Sequence, residues 1–245
     1  MRPMEEELYR GLARYYDILY QYRDARGQAA FALDQLARHG DRETGTALVL
    51  GCGTGVHSQH LVEAGLGVVG IDKHEEMLRV ARERTDATFR QGTLPDVALD
   101  RTFDLVFLPG TVVNYLSMAD LETTFDLLAS HLADDGVLVF DYGTLFDVDG
   151  REPPFLNTAS DGDVDVAQLV QLRRYSDRKT RWDSVVVAVG PDFEEFFVDT
   201  HAITVLERDD LREMLRDRGF EVTVHPDGYD TGDQFDVDIE TVVAR

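Results

Sequence analysis

One cysteine, Cys52, is all that the 245 residues contain, which excludes an intramolecular disulfide and a cysteine-rich metal cage. The seven histidines show no H-x-x-x-H spacing, so no metal is expected. No apolar run reaches the roughly 18 residues of a bilayer span, and the opening Met1-Arg2-Pro3-Met4-Glu5-Glu6-Glu7 is acidic rather than leader-like. The expectation is a cytoplasmic protein without a membrane partner. Lysine is nearly absent, with Lys73 and Lys179 the only two, and 24 basic residues face 47 acidic ones. No basic stripe is left to track a phosphate backbone, which argues against nucleic acid as a partner.

The resulting net charge of -23 resembles that of proteins from salt-loving organisms. Dense surface carboxylates hold water there, while salt shortens the Debye length to about 3 Å at 1 M and screens their repulsion.

What is present is an alternation of strand and helix patterns. Leu8, Leu12, Tyr15, Tyr16, Leu19 and Tyr20 recur at helical spacing, and Phe31, Leu33, Leu36 and Ala37 mark a second helix stopping near Gly40. From Ala47 short apolar strands (Ala47–Leu50, Val68–Ile71, Ala87–Phe89, Phe103–Leu108, Val137–Phe140) alternate with helical stretches through Leu61, from His74 to about Arg84, and from Asp120 to Leu132. Repeated units of this length predict an α/β fold, a doubly wound, mostly parallel sheet covered on both faces. The rhythm breaks after Asp141. Val164–Val170, Arg181–Val189 and Phe193–Leu206 read as strands without helices between them, an antiparallel β insertion. A helix over Asp209–Arg218, a strand over Phe220–His225 and a last strand over Val237–Ala244 restore the alternation. The insertion therefore hangs over the carboxyl ends of the strands, where open α/β sheets bind ligands.

The sharpest signal is Leu48-Val49-Leu50-Gly51-Cys52-Gly53-Thr54-Gly55-Val56-His57, a strand running into a glycine turn at a helix start. Side chains there would block a ligand from the backbone. Asp72 follows Gly51 by 21 residues at the end of the next strand, where a carboxylate can accept both ribose hydroxyls of a nucleoside. A dinucleotide fingerprint would carry a third glycine where Val56 stands, so the spacing favours a different nucleoside cofactor.

The run L-x-L-G-C-G-T-G-x-H, then G-x-D-x-x-x-x-M-L, then L-P, resembles the class I S-adenosylmethionine-dependent methyltransferases over about residues 46–142. The resemblance implies their Rossmann-like seven-stranded sheet and S-adenosyl-L-methionine as the methyl donor. It places Gly51, Cys52, Gly53 and Gly55 along the methionine and ribose, Asp72 on the ribose, and Lys73 and Met77 beside the adenine. Many relatives carry an acidic residue after the third strand. Here the stretch reads Gln91-Gly92-Thr93-Leu94-Pro95, so Gly92, Thr93 and Leu94 take that place, with Leu108 at the end of the fourth strand as a further wall. Ala13–Tyr20 and Thr200–Arg208 resemble segments of small-molecule N-methyltransferases of the glycine and aminosugar type. That likeness implies a lid closing over the cofactor and adds Tyr16 as a cofactor contact. A single domain is expected: an N-terminal helical lid over 1–45, a cofactor core over 46–143, a substrate lid over 144–206 and the end of the sheet over 207–245.

The acceptor is expected to be a small molecule. Leu108–Leu116 lacks the Asn/Asp-Pro-Pro-aromatic motif of nucleic-acid amino methyltransferases, and Asn114 and Tyr115 become substrate contacts. Asp141, Tyr142, His201 and Tyr115 are the side chains that could take a proton from an amine or alcohol acceptor. Three alternatives to an N-methyltransferase stay open at this point: an O-methyltransferase, a nucleotide-dependent oxidoreductase on a similar sheet, and a non-catalytic methyltransferase-like binding module.

Overall fold

The computed structural model describes residues 6–39, 45–229 and 239–245. Gly40, expected as a helix stop, and Val237 and Asp238, expected in the last strand, lie outside the described residues. The described residues open with two 3-10 turns, Glu7–Tyr9 and Ala13–Tyr15, and the single-turn helix α1 (Tyr16–Leu19). Helix α2 (Ala25–His39) follows. The continuous first helix suggested by the Leu8–Tyr20 spacing does not form. Gly11 marks the reason, because a Cβ there would come within 2.9 Å of the Phe197 ring; the chain bends to pass this close to a distant strand.

The alternation then runs as expected through β1 (Thr46–Leu50), α3 (Val56–Glu63), β2 (Gly67–Asp72), α4 (Glu75–Arg84), β3 (Thr88–Gln91), β4 (Phe103–Leu108), α5 (Met118–His131) and β5 (Leu132–Gly143). Four strands come next, β6 (Phe155–Asp161), β7 (Val164–Ser176), β8 (Lys179–Gly190) and β9 (Phe193–Thr204), before α6 (Arg208–Arg216), β10 (Val222–His225) and β11 (Ile239–Ala244). Strand β6 is absent from the sequence reading. It is an edge strand behind Pro153-Pro154, exposed at five of its seven positions, so it carries no apolar alternation to read.

The larger sheet has seven strands in the order β10-β11-β5-β4-β1-β2-β3, and the smaller has four in the order β6-β7-β8-β9. In the larger sheet only β11 runs against its neighbours. Alternate residues of the central strands supply two cores. Leu48, Leu50, Val106, Leu108, Leu138 and Phe140 face α5 and α6 with Phe125, Leu128, Leu211 and Leu215. Ala47, Val49, Leu105, Phe107, Val137 and Val139 face α2, α3 and α4 with Ala29, Ala32, Leu61 and Leu78. Burial on both faces is why these strands read as continuous apolar runs. The smaller sheet buries one face only: Val166, Val186 and Ala188 pack against Leu8, Leu12, Tyr15, Leu19 and Tyr20. The N-terminal segment is thus held between the smaller sheet and the carboxyl edge of the larger one. Since β1 lies between β2 and β4, the connections diverge on either side of β1, and the crevice at that switch point is the expected ligand position.

Candidate active site

Gly51, Gly53 and Gly55 have φ of 65°, 54° and 79°, the left-handed region that L side chains avoid at a cost of roughly 1–2 kcal/mol. At Gly51 a Cβ would also lie 2.4 Å from Val112 Cγ2. The turn is therefore a bare backbone ridge, and Gly55 hands it to α3 as the N-cap without a side-chain cap. The Gly53 N–H donates to Asp72 Oδ2 and the His74 N–H to Asp72 Oδ1, each at 2.9 Å. An ionised carboxylate offers about four acceptor positions, so these bonds fix Asp72 while leaving two positions free. The Cys52 N–H donates to the Ile71 carbonyl at 3.0 Å, extending the β1–β2 ladder into the turn.

A cavity of about 220 Å³ opens over this edge. Of the residues singled out in the sequence, Tyr16, Gly51, Gly53, Asp72, Lys73, Met77, Gly92, Thr93, Leu94 and Tyr115 line it. A second cavity of about 330 Å³ adjoins it on the α3 side, and Tyr16, Gly51, Gly53, Pro109 and Gly110 belong to both walls. Cys52 lines the second cavity rather than the first, and Gly55 and Leu108 stand behind both. The Cys52 thiol is buried against Gly70, and burial pushes its pKa well up, which leaves no thiolate. Gly55 gives way to α4, where a Cβ would meet Ala81 Cβ at 2.9 Å. Leu108 is wholly buried in the core beneath β4.

The proton-accepting candidates separate in the same way. Asp141 is buried and accepts from the Gly110 N–H at 2.8 Å, from the Thr111 N–H and from the Tyr229 hydroxyl. It fixes the β4 loop, in which Thr111 has φ of 61°, and burial raises its pKa. The Tyr142 hydroxyl donates to Glu240, itself paired with Arg208, inside the α5–α6 core. His201 is buried with Nε2 2.5 Å from Asp199 Oδ2, behind the rings of Tyr9 and Tyr115, whose centroids lie 5.4 and 5.5 Å from its own. Only Tyr115 reaches the cavity wall. Its oxygen accepts from the Tyr9 hydroxyl at 2.6 Å, and burial holds both phenols above their ordinary pKa. Asn114 is also withdrawn: its Nδ2 donates to the Thr204 carbonyl at 2.9 Å and its Oδ1 accepts from the Gly143 N–H at 2.8 Å. It ties the β4 loop to β5 and β9.

Three residues of the site escape the sequence reading. Tyr9 and His74 line the first cavity, their rings stacked at 5.3 Å, and His74 Nε2 is 3.3 Å from Glu6 Oε2. Lys73 Nζ donates to the other Glu6 oxygen at 2.7 Å. The neighbouring His74 ring, with Lys73 beside it, brings the Glu6 pKa down to about 2 against the cost of burial. Together with the Thr54 hydroxyl donating to Asp17 at 2.6 Å and the Arg84–Asp17 ion pair, this clasp holds the N-terminal segment over the crevice. Arg23 is the third. It lines the second cavity, lies 4.4 Å over the Tyr20 ring and donates to the Tyr16 hydroxyl at 3.5 Å. Among the described residues it has no carboxylate partner. A half-buried cation facing a cleft is chemistry awaiting an anion. No group of three or more metal-ligating side chains occurs among the described residues, and none of their helices is long and apolar enough to cross a membrane.

A mostly parallel sheet with a side-chain-free turn after β1 and a carboxylate after β2 defines a nucleoside-binding α/β enzyme. A family described as a methyltransferase domain matches residues 47–136. The chain is 30% identical over 187 residues to the putative methyltransferase YqeM of Bacillus subtilis (strain 168), covering 74% of this chain and 75% of that one. It is 26% identical over 224 residues to the dTDP-3-amino-3,6-dideoxy-alpha-D-glucopyranose N,N-dimethyltransferase of Streptomyces fradiae, with 89% and 86% covered. The crystal structure of Streptomyces venezuelae DesVI superposes with a TM-score of 0.80 at 26% identity, covering 95% of this chain and 97% of that one. The chain belongs to the S-adenosylmethionine-dependent methyltransferases, with their Rossmann-like fold.

Proposed function

We propose that the protein methylates an amine nitrogen of a small molecule, of the aminosugar class on which the Streptomyces fradiae relative acts by its name. The reading is carried by the continuity of the two cavities across the glycine ridge. One long ligand fits across that ridge, with Asp72 in the first cavity for its ribose and Arg23 in the second for its amino-acid carboxylate. The space of the first cavity enclosed by Tyr9, Tyr115 and His74 is left for the acceptor. In this reading residues 6–39 and strands β6–β9 act as the lid, and Thr93 and the backbone of Gly92 and Leu94 meet the adenine.

S-adenosylmethionine supplies a methyl group on a sulfonium, already activated for displacement. The protein must hold a lone pair in line with it and exclude water. The Tyr9 and Tyr16 rings close the cavity from the N-terminal side. Tyr115 accepts from Tyr9, so its own proton is free to point at an acceptor hydroxyl. Of the wall groups, His74 lies against Glu6, and Asp120 accepts from the Ser117 hydroxyl at 2.7 Å. A neutral amine needs no base to attack, whereas an alcohol does; this favours nitrogen over oxygen as the acceptor.

Turnover tests the reading. The purified protein in high-salt buffer is incubated with S-adenosylmethionine and paired sugar acceptors that differ only in an amino group or a hydroxyl at one carbon, and products are read by mass spectrometry. Methylation of the amino member alone is expected. Methylation of the hydroxyl member at a comparable rate overturns the choice of nitrogen.

A further inference from the structure

Strand β9 carries a buried pair that methyl transfer as described above leaves without a role. Asp199 and His201 are 0% and 2% exposed, two residues apart on the inner face of the smaller sheet, opposite Ser184 and Trp182 of β8. Taking a carboxylate out of water is unfavourable unless its oxygens find partners. Those of Asp199 face two different elements. Oδ1 accepts from the Leu8 N–H of the N-terminal segment at 3.2 Å, and Oδ2 lies 2.5 Å from His201 Nε2 in its own strand. Leu8 leads directly into Tyr9, and the His201 ring backs both Tyr9 and Tyr115, tilted at 51° to the first and edge-on at 82° to the second. Those two phenols line the first cavity, whereas Asp199 and His201 line neither. His201 Nδ1 has no hydrogen-bond partner among the described residues, so no chain of hydrogen bonds leads a proton from the cavity through His201.

We infer that Asp199 and His201 are positioning residues for methyl transfer: Asp199 grips the backbone at Leu8 and His201 backs both rings, so that the Tyr9 and Tyr115 hydroxyls keep one orientation toward the acceptor. The inference rests on the acceptor space proposed above. An apolar pair of similar volume would pack the sheet against the N-terminal segment as well as this one does. What it would lack is direction, because a hydrogen bond fixes an angle and a packing contact does not. The other ties of the segment do not supply it. Glu6 with Lys73 and Asp17 with Arg84 are partly exposed pairs running to the larger sheet, of a kind that salt screens. Asp199 holds the main chain from a site without water, at the residue before Tyr9. Asn114 makes the matching tie for Tyr115 through the Thr204 carbonyl, so β9 aligns both phenols, one from the N-terminal segment and one from the β4 loop. Alignment matters for an in-line displacement, where a misplacement of about 1 Å can lower the rate about 10²-fold.

Three variants of the full chain test this: Asp199→Asn, His201→Phe and the double Asp199→Leu/His201→Phe. The first keeps an oxygen for the Leu8 N–H and an amide beside His201. The second strands a buried carboxylate and should melt below the wild type, whereas the double variant, with an apolar pair in place of the polar one, should regain most of that stability. Stability restored without function is the signature of positioning. Calorimetry with S-adenosylhomocysteine should give affinities within about threefold of the wild type for Asp199→Asn and the double variant, since neither residue lines a cavity. Hydrogen exchange at the Leu8 amide should quicken about tenfold or more in the double variant and stay near the wild type in Asp199→Asn. With an aminosugar acceptor and saturating S-adenosylmethionine, kcat should fall about tenfold or more in the double variant and recover in Asp199→Asn. A folded double variant with unchanged Leu8 exchange overturns the grip. Faster exchange with unchanged kcat, or a kcat loss matched by an equal loss of S-adenosylhomocysteine affinity, overturns the positioning role. A wild type that methylates no amine refutes the proposed function instead, and the Leu8 exchange still decides the grip.

Discussion

Replacing Asp72 with Ala should weaken binding of S-adenosylmethionine or S-adenosylhomocysteine by about 10²–10⁴-fold. The magnitude comes from counting lone pairs. Two of the roughly four acceptor positions of the carboxylate are taken by the Gly53 and His74 N–H groups, leaving two that face the cavity for the two ribose hydroxyls. A hydrogen bond to a charged acceptor contributes about 1.5–3 kcal/mol, so two give about 3–6 kcal/mol, at about 1.4 kcal/mol per tenfold. The same substitution frees two backbone donors and slackens the turn, so affinity alone does not isolate the ribose contact. Calorimetry with adenosine and 2′,3′-dideoxyadenosine completes a cycle: removing the hydroxyls should cost affinity in the wild type and almost nothing in Asp72→Ala. A folded variant that loses less than about tenfold, or one that discriminates the two nucleosides as the wild type does, would refute the assignment.

Gly51→Ala should destabilise the fold by roughly 2–5 kcal/mol, combining left-handed backbone strain with the clash on Val112; Val112→Ala in the same chain should recover part of this in thermal unfolding, and no recovery would contradict the packing argument. His57, brought down to about pKa 3 by burial first and the nearby Arg23 charge second, stays neutral in the fold and bonds Gln28 at 2.9 Å. Its contribution is present above about pH 6.5 and is lost as pH falls toward 3, because the unfolded imidazole takes up a proton that the folded one refuses, at up to about 1.4 kcal/mol per pH unit. Urea midpoints of wild type and His57→Gln compared at pH 7 and pH 5 should converge at the lower pH; a constant difference would sink the idea. Tyr115→Phe should lower kcat/KM about tenfold or more, and by more than Tyr9→Phe does, since only the Tyr115 proton is uncommitted; equal effects would assign the pair a structural role alone.

The parts of the site legible in the sequence are those set by local backbone. Positive φ at Gly51, Gly53 and Gly55 admits glycine almost alone, and Asp72 follows from the length of one strand-helix-strand unit. Arg23, Tyr9 and His74 were hidden because their roles depend on contacts between distant segments. The Leu8 N–H bonds Asp199, Tyr9 meets Tyr115 and Glu6 reaches Lys73, none of which leaves a spacing. Asp141 and Tyr142 stand at a strand end, the place where open α/β sheets carry ligand-facing side chains. Position there does not say which way a side chain is claimed: Asp141 by the backbone of the β4 loop, Tyr142 by Glu240 in the opposite core. For the fold, strands buried on both faces were visible as apolar runs. The Asp134-Asp135 portion of β5 and five of the seven positions of β6 are exposed and have no such run.

The distribution of protons explains why a site so rich in titratable side chains can serve a reaction that needs so few. Burial keeps the Tyr9, Tyr16 and Tyr115 phenols neutral, and Asp141, Tyr142 and His201 are held away from the cavity. In the proposed reading the acceptor meets the Tyr9, Tyr16 and Tyr115 rings and hydroxyls, which can orient a nitrogen lone pair without binding its proton. In that reading the proton leaves after transfer with the product ammonium or to water. In such a site the fraction of acceptor arriving unprotonated sets the rate, so an amine of low pKa, as when electron-withdrawing oxygens flank the amino carbon of a sugar, is a better match than a simple alkyl amine.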